Sequence, residues 1–144
     1  MSTRSRIGMV QPDGSVKSIY CHWDGYPQNN GNILIKHYTD IEKVKSLIEL
    51  GSISSLGKNI NPDPIDGVHT FDNPQVDVTV AYHRDRGEDL EIRIDESESE
   101  FIKSDLEEWG YLFKDGKWFV IDAISDVDKR TLEVLDEDYI KTHD

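Results

Sequence analysis

The sequence predicts an α+β fold: a single domain over residues 1–144, with a mainly antiparallel sheet built from hairpins and two or three helices. Three observations carry this. Turn chemistry at Pro12-Asp13-Gly14-Ser15 and at Asp115-Gly116 separates short apolar runs, the pattern of β-hairpins. Residues 39–51 place apolar side chains at helical spacing between a capping signal and a glycine stop. A chain of 144 residues supports one core, and no repeat, low-complexity tract or linker divides it.

The elements follow in order. Residues 6–11 and 16–22 read as two strands joined by the first turn. Gly25, Pro27, Asn29 and Asn30 make 23–30 a loop, and Ile33, Leu34 and Ile35 begin a short helix within 31–38. A longer helix starts with Thr39 as N-cap and Glu42 completing a capping box. Its face is Ile41, Val44, Leu47 and Ile48, and Gly51 ends it. Residues 57–74, with three Pro, form a long ordered loop of the kind that often carries function. Val76, Val78 and Val80 alternate with polar or small residues, so 76–82 reads as a strand. It pairs with 90–94 in a second hairpin across Arg86-Gly87-Glu88-Asp89. Phe101, Ile102, Leu106 and Trp109 suit a short helix within 96–109, and 111–113 with 118–121 form a hairpin about Asp115-Gly116. Residues 122–144 fit either an edge strand at 130–135 or a terminal helix.

Composition narrows the function. The formal charge is −13, and it is uneven: residues 1–84 hold eight Lys/Arg against nine Asp/Glu, residues 85–144 eight against twenty. Such a surface repels nucleic acid and anionic membrane, so direct binding to either is not expected. The acidic half serves solubility, or it imitates nucleic-acid phosphates and docks on a basic partner. One cysteine, Cys21, allows neither an intramolecular disulfide nor a cysteine-only metal site. The polar, basic first residues are neither signal peptide nor membrane span, which makes the cytoplasm the expected location. No Walker A sequence, dinucleotide fingerprint or nucleophile elbow is present, and no cofactor or metal is expected. His22, Asp24, His69 and His83 have no recognised ligand spacing. An N-terminal nucleophile at Ser2 would require removal of Met1.

Two constellations stand out. Four of the six arginines fall in two short segments, Arg4 with Arg6 and Arg84 with Arg86, the latter pair beside His83. Guanidinium groups match phosphate or carboxylate oxygens, so these segments either bind an anion or pair with the protein's own carboxylates. The second constellation is Tyr20-Cys21-His22-Trp23-Asp24-Gly25-Tyr26-Pro27. Trp23 or Tyr26 would stack on a base, Asp24 would read an amino group, and His22 would act as acid, base or donor. The competing reading is an aromatic plug at one end of the sheet, with His22 bonded to Asp24. Cys21 and His22 point to opposite faces of a strand, which disfavours a thiol nucleophile.

The segments Ser2-Thr3-Arg4-Ser5-Arg6-Ile7-Gly8, Asp13-Gly14-Ser15, Ile19-Tyr20-Cys21-His22-Trp23-Asp24-Gly25-Tyr26-Pro27 and Ala81-Tyr82-His83-Arg84-Asp85-Arg86-Gly87-Glu88 resemble a group of small phage and prophage proteins. The resemblance spans the motif segments and fades in the acidic C-terminal part. That group brings no established activity and hence no catalytic residue. It implies a phage accessory role in the host cytoplasm, such as countering a defence by binding a host protein or sequestering a nucleotide signal.

The leading expectation is therefore a module for a small phosphorylated ligand, held by Arg4, Arg6, Arg84 and Arg86 with Trp23 or Tyr26 on a base. It requires the two arginine segments to meet. An acidic protein-binding inhibitor ranks second, and a small hydrolase or transferase using His22 and Asp24 ranks third. Self-association is compatible with each.

Overall fold

The computed structural model describes residues 3–65, 67–124 and 126–142; Ser2 lies outside them. The chain begins with a hairpin, β1 (Ser5–Val10) and β2 (Val16–Cys21), paired antiparallel with Arg6 opposite Tyr20. Asp13 secures its turn by accepting from the backbone N–H and hydroxyl of Ser15. A π-helical turn at Pro27–Gly31 leads into α1 (Asn32–His37). Next comes α2 (Ile41–Glu49), which buries Val44, Leu47 and Ile48 and leaves Ile41 half exposed. Its N-cap is Asp40, not Thr39: the Asp40 carboxylate accepts from the Glu42 backbone N–H, one residue later than the capping-box reading.

The middle of the chain departs from expectation. β3 (Ile53–Ser55) runs parallel to β2, and β4 (Val80–Ala81) pairs antiparallel with β3. The expected strand at 76–82 is thus cut to two residues. Asp77 adopts a left-handed φ of 62° and interrupts the alternation, Val76 is solvent-exposed, and 82–86 coils into α3 (Tyr82–Arg86). The expected second hairpin does not form either. β5 (Arg93–Asp95) instead pairs with β2 through Ser18↔Arg93, along the part of the β2 edge that β3, paired only at Cys21, leaves open.

α4 (Glu98–Lys103) is capped by Ser97. β6 (Trp109–Lys114) and β7 (Lys117–Asp122) form the Asp115-Gly116 hairpin, whose two turn residues both have positive φ, 52° and 77°. The last segment resolves its ambiguity by being both things: β8 (Glu133–Val134) edges β7, and α5 (Glu137–Thr142) follows.

The eight strands make one mixed, mostly antiparallel sheet in the order β4-β3-β2-β1-β6-β7-β8, with β5 beside β2 and β1 parallel to β6. Five short helices accompany it among the described residues, more than the two or three expected. Alternation along β1 sends Ile7 and Met9 into the larger core with Leu34, Tyr38, Leu47, Tyr111 and Ile140. It sends Arg6, Gly8 and Val10 to the opposite face. There Phe101 caps a smaller core of Val16, Leu106, Leu112 and Ile121. Gly8 makes the room: a Cβ would stand 3.0 Å from the Phe101 ring. Burying that ring contributes about 2–3 kcal/mol. The smaller core ends short of Arg6 and Tyr20. That half of the face is polar, and the candidate site lies there.

Candidate functional site

The aromatic segment is held at the start of β1 by close packing. Gly25 donates its N–H to the Thr3 carbonyl at 2.8 Å, and a Cβ at Gly25 would lie 2.6 Å from the Ser5 Cβ. The Tyr111 hydroxyl donates to the Gly25 carbonyl from below. Buried Asn30 donates to Ser5 Oγ and Cys21 Sγ, and Asn29 donates to the Asp24 carbonyl. Burial raises the Cys21 thiol to about 11, so it is an inert part of this floor. With the backbone fixed, Trp23 is 43% exposed and Tyr26 37% exposed. An aromatic plug would bury these rings, and the structure does not.

His22 does not bond to Asp24. Its Nδ1 lies 2.7 Å from the Tyr20 hydroxyl, and its ring meets Trp23 edge-to-face at 4.7 Å. Asp24 is exposed, in a left-handed conformation with φ 54°. His22 follows the end of β2 and bonds back to Tyr20, and Arg6 shares the Tyr20 face from β1. Arg6 donates through Nε to Ser18 Oγ at 2.9 Å and, more weakly, through Nη2 to the Ser18 carbonyl. Its Nη1 bonds to none of the described residues. Burial, together with the neighbouring Arg93 cation, lowers Arg6 to about 10, partly offset by Asp95, Asp105 and Glu107. Arg4 lies two residues earlier. Its backbone exchanges bonds with Glu108, while its guanidinium is exposed and has no partner among the described residues. It is close enough to act on the Tyr20 phenol, whose net upward shift comes first from burial.

The second arginine segment behaves differently. Arg84, expected to face a ligand, spends its donors internally. Nη1 reaches the Ile60 carbonyl and Nη2 the Thr79 carbonyl, both at 2.7 Å, while Nε and Nη2 fork onto Asp85. The orphan carbonyls of the 57–79 loop require such a donor, and this need outcompetes ligand binding. Asp85 also accepts from the Ala81 N–H and from His69 Nε2. The His69 side chain is 2% exposed, and its Nδ1 accepts from the Gln75 N–H, so Nε2 carries the proton. Burial alone would raise the Asp85 carboxyl; the bonds from Arg84 and Ala81 outweigh it and hold the group below its ordinary range. His83 faces solvent with Nδ1 on the Glu88 carbonyl at 2.7 Å. Arg86 stacks over Phe71 at 4.8 Å and pairs with Glu88. β1 and β4 are separated by β3 and β2, so the arginine segments are not adjacent strands.

What does meet is the start of the aromatic segment, at Tyr20, and the residues on either side of Arg84 and Arg86. Tyr20 and Tyr82 line a cavity of about 460 Å³ together with Ser52, Glu88, Asp89 and Glu91. Each ring has its own neighbour, His22 for Tyr20 and Phe71 for Tyr82. A second cavity of about 410 Å³ is lined by Arg6, Glu91 and Arg93. Glu91 belongs to both. Two lobes therefore lie side by side, one aromatic and acidic, the other cationic. Arg93 was not singled out in the sequence because its role depends on β5 pairing with β2. It bonds Asp95, the Asp105 carbonyl and Ser104 Oγ. Tyr82 and Glu91 gave no local signal either.

A larger cavity, about 670 Å³, lies elsewhere, between α2 and residues 59–78, and holds none of the expected site residues. Its cation, Lys43, is already bound to the carbonyls of His37 and Lys58. Among the described residues no group of three or more His, Cys, Asp or Glu is placed to hold a metal ion, and no helix is long and apolar enough to cross a membrane. No protein-family model, curated protein or solved structure matches the chain.

Proposed function

We propose that this protein binds a small phosphorylated ligand, of the nucleotide type, across the two lobes. The observation that carries this is the incompletely engaged Arg6, half-buried beside Arg93 and opposite Tyr20. A guanidinium that is desolvated and near a like charge is relieved by an anion, and its planar fork suits phosphate oxygens. Arg4 adds an unpaired cation at the rim. The rings of Tyr20 and Tyr82 offer apolar walls for a base next door, and Trp23 with His22 extends that surface. In this reading Arg84 and Asp85 position α3, and do not touch the ligand.

The resemblance to phage and prophage proteins makes a nucleotide defence signal the ligand of interest, sequestered in a host cytoplasm. The test is isothermal titration of pyrophosphate and nucleoside triphosphates into the wild type, Arg6→Ala and Arg4→Ala. Saturable binding that weakens about tenfold in Arg6→Ala, the loss of one charge-assisted contact, supports the proposal. Wild-type protein that takes up none of these probes contradicts it and leaves the acidic-inhibitor reading, whose complex with a basic protein weakens steeply with salt.

A further inference from the structure

The aromatic lobe has a second property that phosphate binding does not use. Its charged groups are all carboxylates. Glu88 is paired with Arg86 at 3.2 Å, whereas the side chains of Asp89 and Glu91 have no hydrogen-bond or ion-pair partner among the described residues. The Glu91 carbonyl accepts from the Ser52 N–H, which fixes its backbone at the junction of the lobes. An acidic rim beside an anion site repels a second anion and calls for a group rich in N–H donors.

Resting on the nucleotide reading above, we infer that the base held between Tyr20 and Tyr82 is guanine, with Glu91 as the group that selects it. Guanine alone among the common bases presents two adjacent donors, N1–H and the 2-amino group, on its pairing edge. A carboxylate accepts both at once. Adenine and cytosine place a ring-nitrogen acceptor at the equivalent position, which would set a lone pair against the carboxylate. Uracil offers one N–H flanked by two carbonyl oxygens. The cavity of about 460 Å³ accommodates a purine. The neighbouring Arg6 and Arg93 lobe, sharing Glu91, lies where the phosphate of the same nucleotide would follow. Glu91 is exposed in the free protein, so a base that covers it without donating an N–H would leave its carboxylate desolvated and unpaired, and such analogues are rejected.

The experiment is titration of GMP, IMP, AMP and pyrophosphate into the wild type, Glu91→Gln and Asp89→Asn. The inference expects GMP to bind about 10- to 100-fold more tightly than AMP, with IMP, which keeps N1–H but lacks the 2-amino group, between them. Glu91→Gln should lose that preference while binding pyrophosphate as the wild type does, and Asp89→Asn should keep it. Equal binding of GMP and AMP overturns the guanine assignment and leaves the phosphorylated-ligand reading standing. Selectivity lost in Asp89→Asn and kept in Glu91→Gln overturns the role of Glu91. Failure of pyrophosphate and all three nucleotides to bind overturns both readings.

Discussion

Arg6 and Tyr20 stand opposite each other on β1 and β2, and through that one register pair the cationic and aromatic lobes become neighbours. The pair sits on the sheet face that Phe101 leaves uncovered. Arg6 is anchored by Ser18 and crowded by Arg93, and Tyr20 is tied to His22.

The arginines separate into two kinds by what they already hold. Arg84→Ala removes four hydrogen bonds among part-buried groups and leaves Asp85 short of its partner, so it is predicted to destabilise the fold by about 3 kcal/mol. Arg4→Ala removes an exposed side chain without a partner and should change stability by less than about 0.5 kcal/mol. Urea unfolding followed by circular dichroism measures both.

Gly25→Ala tests how the aromatic segment is held. The added methyl would sit 2.6 Å from Ser5 Cβ and 2.8 Å from the Thr3 carbonyl, so β1 and the loop must separate. A cost of about 1–3 kcal/mol is expected, read from the midpoint of denaturant unfolding. A neutral effect would show that the contact is slack.

Acid should loosen the 57–79 loop before the sheet. The folded Asp85 carboxyl titrates below its ordinary value of 3.8, so its contribution is fully present above that value and lost as pH falls through the folded one. Asp85→Asn should therefore be less stable than the wild type at neutral pH, with the difference narrowing below about pH 4. Thermal unfolding at a series of pH values decides it; a constant gap down to pH 2 would contradict the assignment.

Phe101→Ala empties the smaller core between Gly8, Val16 and Leu112. A loss of about 3–5 kcal/mol is predicted by calorimetric or denaturant unfolding. Full stability would mean that α4 is not what closes this face.

Both terminal hairpins, α2 and the loop at 57–74 were legible because their signals are local: Asp13-Gly14, Asp115-Gly116, apolar spacing and proline content. The middle of the chain was not. Val76, Val78 and Val80 alternate like a strand, yet Asp77 turns left-handed, Val78 makes a lone bridge to Asn59, and the strand proper is cut to Val80–Ala81. Likewise 90–94 reads as the partner of the preceding strand, while the pairing it makes is Ser18↔Arg93, about 75 residues away in sequence. The candidate site followed the same rule. Arg4, Arg6, His22 and Trp23 announced themselves by clustering. Arg84 did too, but for a structural reason, and Arg93, Tyr82 and Glu91 enter through long-range pairing that residue spacing does not encode.

The most direct test of the central claim is two-dimensional amide NMR of the uniformly labelled protein during titration with GMP. The account predicts saturable shifts at Arg6, Tyr20, His22 and residues 87–93, with a midpoint about tenfold higher in Arg6→Ala. Shifts confined to residues 59–63 and 75–78, around the larger cavity beside α2, or no shifts at millimolar GMP, would contradict it.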